Sequence, residues 1–415
     1  MTSKIALLQA NPVVGDIAGN AMMICGLASI AAEEGASFAV TTELAISGYP
    51  PRDLLIQSDF VTECHQVASS LETEIPVLVG TPVPPVNDRS LPGNGVVRAG
   101  DSVREVTRKQ LLPTYDVFDE ARYFEADERP GIARTIAGLD IGVTICEDAW
   151  QHCGATPNDY DSDPIAQIVE WGRQGVVLDA TVNLSASPYH ANKSGIRIAV
   201  ARSAASSLNH PFLLANQVGG NDDLLFDGRS IIAWPDGTAV VAPAWTRGVL
   251  LTDLSDPEGC RWIGDGEVTI LKPGEELKED ENDLLDAIVI GLADYCRKSG
   301  ISKIVLGLSG GIDSALAACV ASAAVGAQNV TGISMPSKHS SQHSIDDAKA
   351  TAEALGLNFI IQPITDLHSA SDLALKDILE GGHPVAGENL QARLRGLIVM
   401  AHANAHGAMA IATGN

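Results

Sequence analysis

Short apolar runs, each followed by a turn and then by a helix-period segment, recur along almost the whole chain, and this alternation constrains the fold more than any other feature. From Lys4 to about Ile270, strand candidates fall at Ile5–Gln9, Phe38–Thr41, Val77–Gly80, Leu139–Ile145, Gly175–Val182 and Phe212–Ala215. The stretches Pro82–Gly95 and Ser230–Thr238, rich in Gly, Pro, Asn and Asp, read as hairpin loops. Near Lys272–Asp283 the composition turns acidic and the apolar period is lost, which marks a linker. Beyond it, Leu284–Cys296 has helical spacing. Strands at Lys303–Leu308, Val330–Ser334, Asn358–Gln362 and Ala408–Ala412 then alternate with helices at about Ala315–Val325, Ser344–Leu355, Leu367–Leu379 and Leu390–His406. That order belongs to a doubly wound parallel α/β sheet. The expected organisation is a layered α/β domain over residues 1–270, a linker over 271–283 and a second α/β domain over 284–415.

Composition narrows the partners. With 27 Lys+Arg against 52 Asp+Glu, the formal charge of −25 repels phosphate backbones and anionic lipid surfaces, so nucleic acid and membrane partners are not expected. An anionic ligand must then be held by local N–H groups, a few cations or a metal. The seven cysteines are scattered without a Cys-x-x-Cys pair, which implies neither a disulfide framework nor a zinc knuckle. No apolar leader or membrane-length run is present, and the expected location is the cytoplasm.

Cys146 follows the strand Leu139–Ile145 directly, in Ile-Cys-Glu-Asp-Ala-Trp150, where a thiol can be presented to a cleft. Alone, such a cysteine is more often a buried filler. Glu43 in Thr42-Glu-Leu-Ala-Ile-Ser-Gly-Tyr-Pro50 and Lys109 in Arg108-Lys-Gln-Leu-Leu-Pro113 change that reading, since a thiol needs a base to take its proton and a cation to stabilise the charge that develops. The three segments together resemble the Glu–Lys–Cys set of the nitrilase superfamily. The resemblance implies an α-β-β-α sandwich, with Glu43 as base, Lys109 as cation and Cys146 as nucleophile. Glu147 follows the nucleophile as a supporting residue whose N–H, with Lys109, faces the oxyanion.

The stretch Lys109 to Phe124, with Thr-Tyr-Asp-Val-Phe-Asp-Glu inside it, resembles more narrowly the glutaminase domain of the NAD synthetase family. That resemblance implies that Tyr115 contacts glutamine and that Glu120 supports the lysine. In Asn183-Leu-Ser-Ala-Ser-Pro188 and beyond, it implies that Ser187 and Lys193 hold the glutamine α-groups.

In the second half, strand, then Gly307-Leu308-Ser309-Gly310-Gly311-Ile312-Asp313-Ser314, then helix is an anion site by construction, because glycines let N–H groups approach phosphate oxygens at a helix N-terminus. It lacks the Lys-Ser/Thr ending of a Walker A loop and resembles the ATP-pyrophosphatase loop, which implies cleavage of ATP to AMP and pyrophosphate. Asp313 is the natural Mg2+ ligand there. Met335-Pro-Ser-Lys-His-Ser-Ser341, Glu388-Asn-Leu-Gln-Ala-Arg-Leu-Arg-Gly396 and Ala412-Thr-Gly-Asn415 resemble successive NAD synthetase motifs. By that resemblance Asn389 and Arg393 contact deamido-NAD and Thr413 contacts ATP. The implied substrates are glutamine, ATP and deamido-NAD, with Mg2+, no prosthetic group and a homo-oligomeric assembly.

This chain departs from the family pattern at Lys338-His-Ser-Ser-Gln-His-Ser344, where the family often has Arg-Tyr-Ser-Ser-Glu-Gly-Ser. The family motif also continues past Thr-Gly-Asn with Lys-Ser-Glu, so the synthetase half is expected to be incomplete. Two other readings stay open at this point: a stand-alone nitrilase-type amidase with a vestigial tail, and a non-catalytic fragment that acts by association.

Overall fold

The computed structural model describes residues 4–87, 90–102, 104–274, 281–338, 340–381, 383 and 385–413. Residues 275–280 of the acidic stretch read as a linker, and the terminal Gly414 and Asn415, lie outside the described residues. The chain divides into two compact units, Met1–Leu284 and Leu285–Asn415.

In the first unit, strands Lys4–Gln9, Phe38–Val40 and Val77–Val83 run parallel at the heart of one mixed sheet; Gly93–Ala99 and Arg104–Arg108 extend one side of it, and Gly248–Asp253, Asp256–Gly264 and Glu267–Ile270 the other. A second sheet is ordered Ala239–Val241, Ile231–Ala233, Phe212–Asn216, Ala180–Ser185, Leu139–Ile145, Gly131–Ile136. The period-2 geometry of a strand explains how the sheets stack. Ile5 and Leu7 point into a core shared with Val143, Val182 and Leu213 of the other sheet. Ala6 and Leu8 point the opposite way, against helices Ile17–Glu33 and Ser58–Ser69. On the far side, Phe212, Leu214 and Ile231 pack against Ile165 and Val200 of helices Pro164–Arg173 and Lys193–Leu208. The layering is α-β-β-α.

Three local expectations are corrected. The strand expected at Gly175–Val182 runs over Ala180–Ser185, because Gly175, at φ +91°, is still in the turn that closes helix Pro164–Arg173. Within Ser230–Thr238, Ile231–Ala233 pairs with Phe212–Leu214 and is fully buried, so the hairpin turn is confined to the residues after it. The helix beyond the acidic stretch begins at Glu281, before the expected boundary. Its Asp283 is buried and accepts hydrogen bonds from Arg229 (2.7 Å) and Trp245 Nε1 (2.7 Å).

The second unit holds a parallel sheet in the order Asn358–Ile361, Val330–Ser334, Ile304–Gly307, Met409–Ile411. Ile304 and Leu306 face Ala318, Ala348 and Ala352 of helices Ile312–Val325 and Gln342–Leu355, while Val305 and Ile333 face Ala403 of helix Val385–His406. Helices therefore cover both faces, as a parallel sheet requires. The helix expected over Leu367–Leu379 is broken at Leu375 into Thr365–Ala374 and Lys376–Leu379.

Candidate active site

Glu43 stands just beyond strand Phe38–Val40 with its side chain fully buried. Its Oε1 accepts from Lys109 Nζ (2.7 Å) and Asn94 Nδ2 (2.7 Å), and its Oε2 from the Ala186 N–H (3.0 Å). Lys109, directly after strand Arg104–Arg108, is equally buried and also donates to both oxygens of Glu120, at 2.8 and 2.7 Å. Glu120 in turn accepts from Tyr49 Oη at 2.8 Å. One ammonium is thus clamped between two carboxylates where solvent scarcely reaches.

The electrostatics follow from that burial. Burial alone would lower the Lys109 pKa, but Glu120 and Glu43 override it and hold the group well above the usual lysine range. Burial raises Glu120 to about 7 against the pull of Lys109, and Tyr49 is likewise pushed well up by burial and by Glu120. Cys146 is 5% exposed. Burial, then Glu43, push its thiol well above the ordinary value, and Lys109 only partly compensates, so the resting group is the neutral thiol. Its backbone sits at φ +43°, a left-handed conformation that costs a non-glycine residue roughly 1–3 kcal/mol and breaks the strand geometry directly after Ile145. Asn183 Nδ2 donates to the Cys146 carbonyl at 3.3 Å and to Thr144 Oγ1 at 3.0 Å, steadying this elbow.

Residues expected to contact glutamine, Tyr115, Ser187 and Lys193, lie nearby. Tyr115 Oη donates to Glu147 Oε1 at 2.7 Å, and Tyr160 Oη reaches the same oxygen at 3.1 Å. Lys193, the first residue of helix Lys193–Leu208, places its Nζ 5.4 Å from the centre of the Trp150 ring. Its pKa is lowered by burial and by Arg197, while Cys146 and Glu147 pull it back up. The Ser187 hydroxyl is buried and has no hydrogen-bond partner among the described residues, which suits a group kept for a ligand. A separate cavity of about 230 Å3, lined by Tyr49, Phe118, Glu120 and Phe124 among others, opens beside the supporting carboxylate.

Sequence reasoning missed Asn94, Tyr49, Tyr160 and Trp150. Asn94 falls inside the Pro- and Gly-containing stretch Pro82–Gly95, whose composition suggests a loop, although strand Gly93–Ala99 carries it. Tyr49 lies six residues after Glu43, in the same segment.

In the second unit, strand Ile304–Gly307 passes into the Gly-rich loop and then into helix Ile312–Val325. The loop ties itself with hydroxyls: Ser309 N–H donates to Ser314 Oγ (3.2 Å), Gly311 N–H to Ser309 Oγ (3.2 Å), and Ser314 Oγ to the Gly311 carbonyl (2.9 Å). Gly310 sits at φ +82°, where an added Cβ would run into the Ser344 carbonyl oxygen. Gly307, Leu308 and Ser309 line a cavity of about 770 Å3 whose other walls include Met335, Arg395, Val399 and Thr413. Asp313 is exposed in the first helical turn. Asn389 and Arg393 are exposed on helix Val385–His406 and do not line this cavity; Arg395 does, with its Nε 3.2 Å from the Met335 carbonyl.

Fold and site together define a carbon–nitrogen hydrolase unit followed by an α/β unit with a nucleotide-type loop. Residues 4–261 match the carbon–nitrogen hydrolase family and residues 284–415 the NAD synthase family. The glutamine-dependent NAD(+) synthetase of Synechocystis is 39% identical over 423 residues, covering 99% of this chain and 74% of the relative. That of Thermotoga maritima is 32% identical with the same coverage. The glutamine-dependent NAD+ synthetase of Acinetobacter baumannii, solved with ADP, superposes with a TM-score of 0.85 at 29% identity, over 100% of this chain and 74% of that one. This chain belongs to the glutamine-dependent NAD(+) synthetase family. Among the described residues, no helix is long and apolar enough to cross a membrane.

Proposed function

We propose that the Glu43–Lys109–Cys146 centre hydrolyses glutamine in the service of NAD+ synthesis, with ATP as the co-substrate of the second unit. The observation that carries this reading is the Lys109 ammonium held between Glu43 and Glu120, both within 2.8 Å, beside a thiol on a left-handed elbow. Because Cys146 rests as the neutral thiol, its proton leaves for Glu43 as sulfur attacks the glutamine side-chain carbonyl. Lys109 and the N–H of Glu147 stabilise the oxyanion. Collapse to the thioester expels ammonia, to which Glu43 returns the proton; water, activated by Glu43, then releases glutamate and restores the thiol. Glu120 acts through Lys109 as a positioning residue. Tyr115, Glu147, Ser187 and Lys193 hold the glutamine α-amino and α-carboxylate groups.

In the second unit, residues 307–314 and Thr413 bind ATP, and the nicotinate carboxylate of deamido-NAD takes up AMP with release of pyrophosphate. Ammonia displaces AMP and yields NAD+. Asn389 and Arg393 serve deamido-NAD from the surface of their helix, and Arg395, on the cavity wall, joins the nucleotide side. The exposed Asp313 carboxylate beside the phosphate loop fits Mg2+, a hard cation that usually takes one or two carboxylates together with substrate phosphates. When bound, Mg2+ supplies charge neutralisation at the phosphates. The working enzyme is a cytoplasmic homo-oligomer. The test is NAD+ formation by the protein, and by Cys146→Ala, with glutamine or with ammonium as nitrogen source. The variant is expected to use ammonium alone; retained use of glutamine would remove Cys146 from the reaction.

A further inference from the structure

Asp148 belongs to neither the acid–base set nor the glutamine contacts, yet it is 2% exposed and accepts backbone N–H groups from two separate parts of the site. Its Oδ1 takes the N–H of Gln110 at 3.1 Å and of Leu111 at 2.9 Å; its Oδ2 takes the N–H of Ile145 at 3.0 Å. Gln110 and Leu111 immediately follow Lys109, and Ile145 immediately precedes Cys146. One carboxylate therefore holds the chain just after the cation and just before the nucleophile.

Both segments need such a hold. Past Lys109 the chain has left strand Arg104–Arg108 and has no ladder to fix it before the short turn of helix at Glu120–Arg122. At Cys146 the backbone is left-handed and persists only where its surroundings over-determine it. A carboxylate suits the task because each oxygen accepts more than one hydrogen bond, whereas an amide offers one accepting oxygen and would turn N–H against N–H at the other position.

We propose that Asp148 is a positioning residue for glutamine hydrolysis: it ties the segment after Lys109 to the Cys146 elbow and so fixes the ammonium where thiolate and oxyanion charge develop. The inference rests on the reading of Cys146 as nucleophile. It accounts for a buried acid in which no other proposed role is invested, and it ties two strands from different sheets into one catalytic frame.

The test uses Asp148→Asn and Asp148→Glu in the full chain, with glutamine kinetics, iodoacetamide labelling located by mass spectrometry, and amide hydrogen exchange. A displacement of about 1 Å between reacting groups costs on the order of 100-fold in rate. Both variants are accordingly expected to lose kcat on that scale while KM for glutamine stays near the wild-type value, because Glu147, Ser187 and Lys193 are untouched. Labelling of Cys146 is expected to slow, and the amides of Gln110, Leu111 and Ile145 to exchange faster. Unchanged kcat in both variants, or a raised KM at unchanged kcat, would overturn the proposal. So would failure of both to unfold cooperatively, which would assign Asp148 to the fold. If Cys146→Ala retains glutamine hydrolysis, the nucleophile reading itself fails, and that outcome is distinct from a failure of the clamp.

Discussion

Lys109 Nζ lies 2.7 Å from Glu43 Oε1, and neither side chain is reached by solvent. Removing one partner of a buried pair strands the other, at a cost of about 3–5 kcal/mol. Here the consequence is compounded, because Glu120 shares the same ammonium. Lys109→Ala is expected to abolish glutamine hydrolysis and to lower the unfolding free energy of the first unit by about that amount, read from denaturant midpoints. Wild-type stability in the variant would show that the carboxylates do not depend on the lysine.

Glu147→Gln bears on substrate recognition. Its Oε1 accepts from both Tyr115 and Tyr160, so the amide keeps the shape and loses the charge that would meet an α-ammonium. Hydrogen bonds to charged groups are worth about 1.5–3 kcal/mol, which corresponds to a rise in KM for glutamine of roughly 10- to 100-fold. Steady-state kinetics decide this; a fall in kcat at constant KM would place Glu147 in the chemistry instead.

Gly310→Ala should disable the phosphate loop. The position needs positive φ, and the new methyl would meet the Ser344 carbonyl oxygen. Strain of this kind costs about 1–3 kcal/mol, and relieving it means moving the loop away from helix Gln342–Leu355. The expected result is at least a tenfold weaker ATP affinity by calorimetry, with labelling of Cys146 unchanged. Wild-type ATP affinity would mean that the loop tolerates the shift.

His210 sets an acid limit on stability. Burial lowers its pKa to about 4, and its Nε2 lies 2.8 Å from Thr181 Oγ1. A depressed folded-state value means that the unfolded chain binds the proton more readily. Stability is therefore intact above the ordinary histidine value near 6.5 and drains away as pH falls from there toward about 4, by at most about 3 kcal/mol. His210→Gln does not titrate in that window. Thermal unfolding between pH 7 and 4 should show a shallower decline for the variant; parallel curves would exclude the histidine as a cause.

Much of the architecture was legible in the chain because both units are built from local periodicities. The strand Leu139–Ile145 and the Gly-rich loop after Ile304–Gly307 stand where the apolar runs and glycines indicate. Ile231–Ala233 was hidden because three residues between turn-forming neighbours carry too little pattern; pairing with Phe212–Leu214 is what makes them a strand. Arg393 and Arg395 illustrate the same limit on a helix. Two positions apart, at about 100° per residue, they point in nearly opposite directions, and only packing decides which of them meets the cavity.

The order of elements, the segments that carry Glu43, Lys109 and Cys146, and the glycine-rich turn were determined by the sequence itself, since each depends on residue type and near neighbours. Tertiary structure decided that Lys109 meets Glu43 across 66 positions, that Asn94 bonds Glu43 and Tyr49 bonds Glu120, and that Asp148 joins the segment after Lys109 to the one before Cys146. Those contacts come from sheet order and strand register, which place residues remote in the chain within a hydrogen bond of one another, and local periodicity carries no record of that.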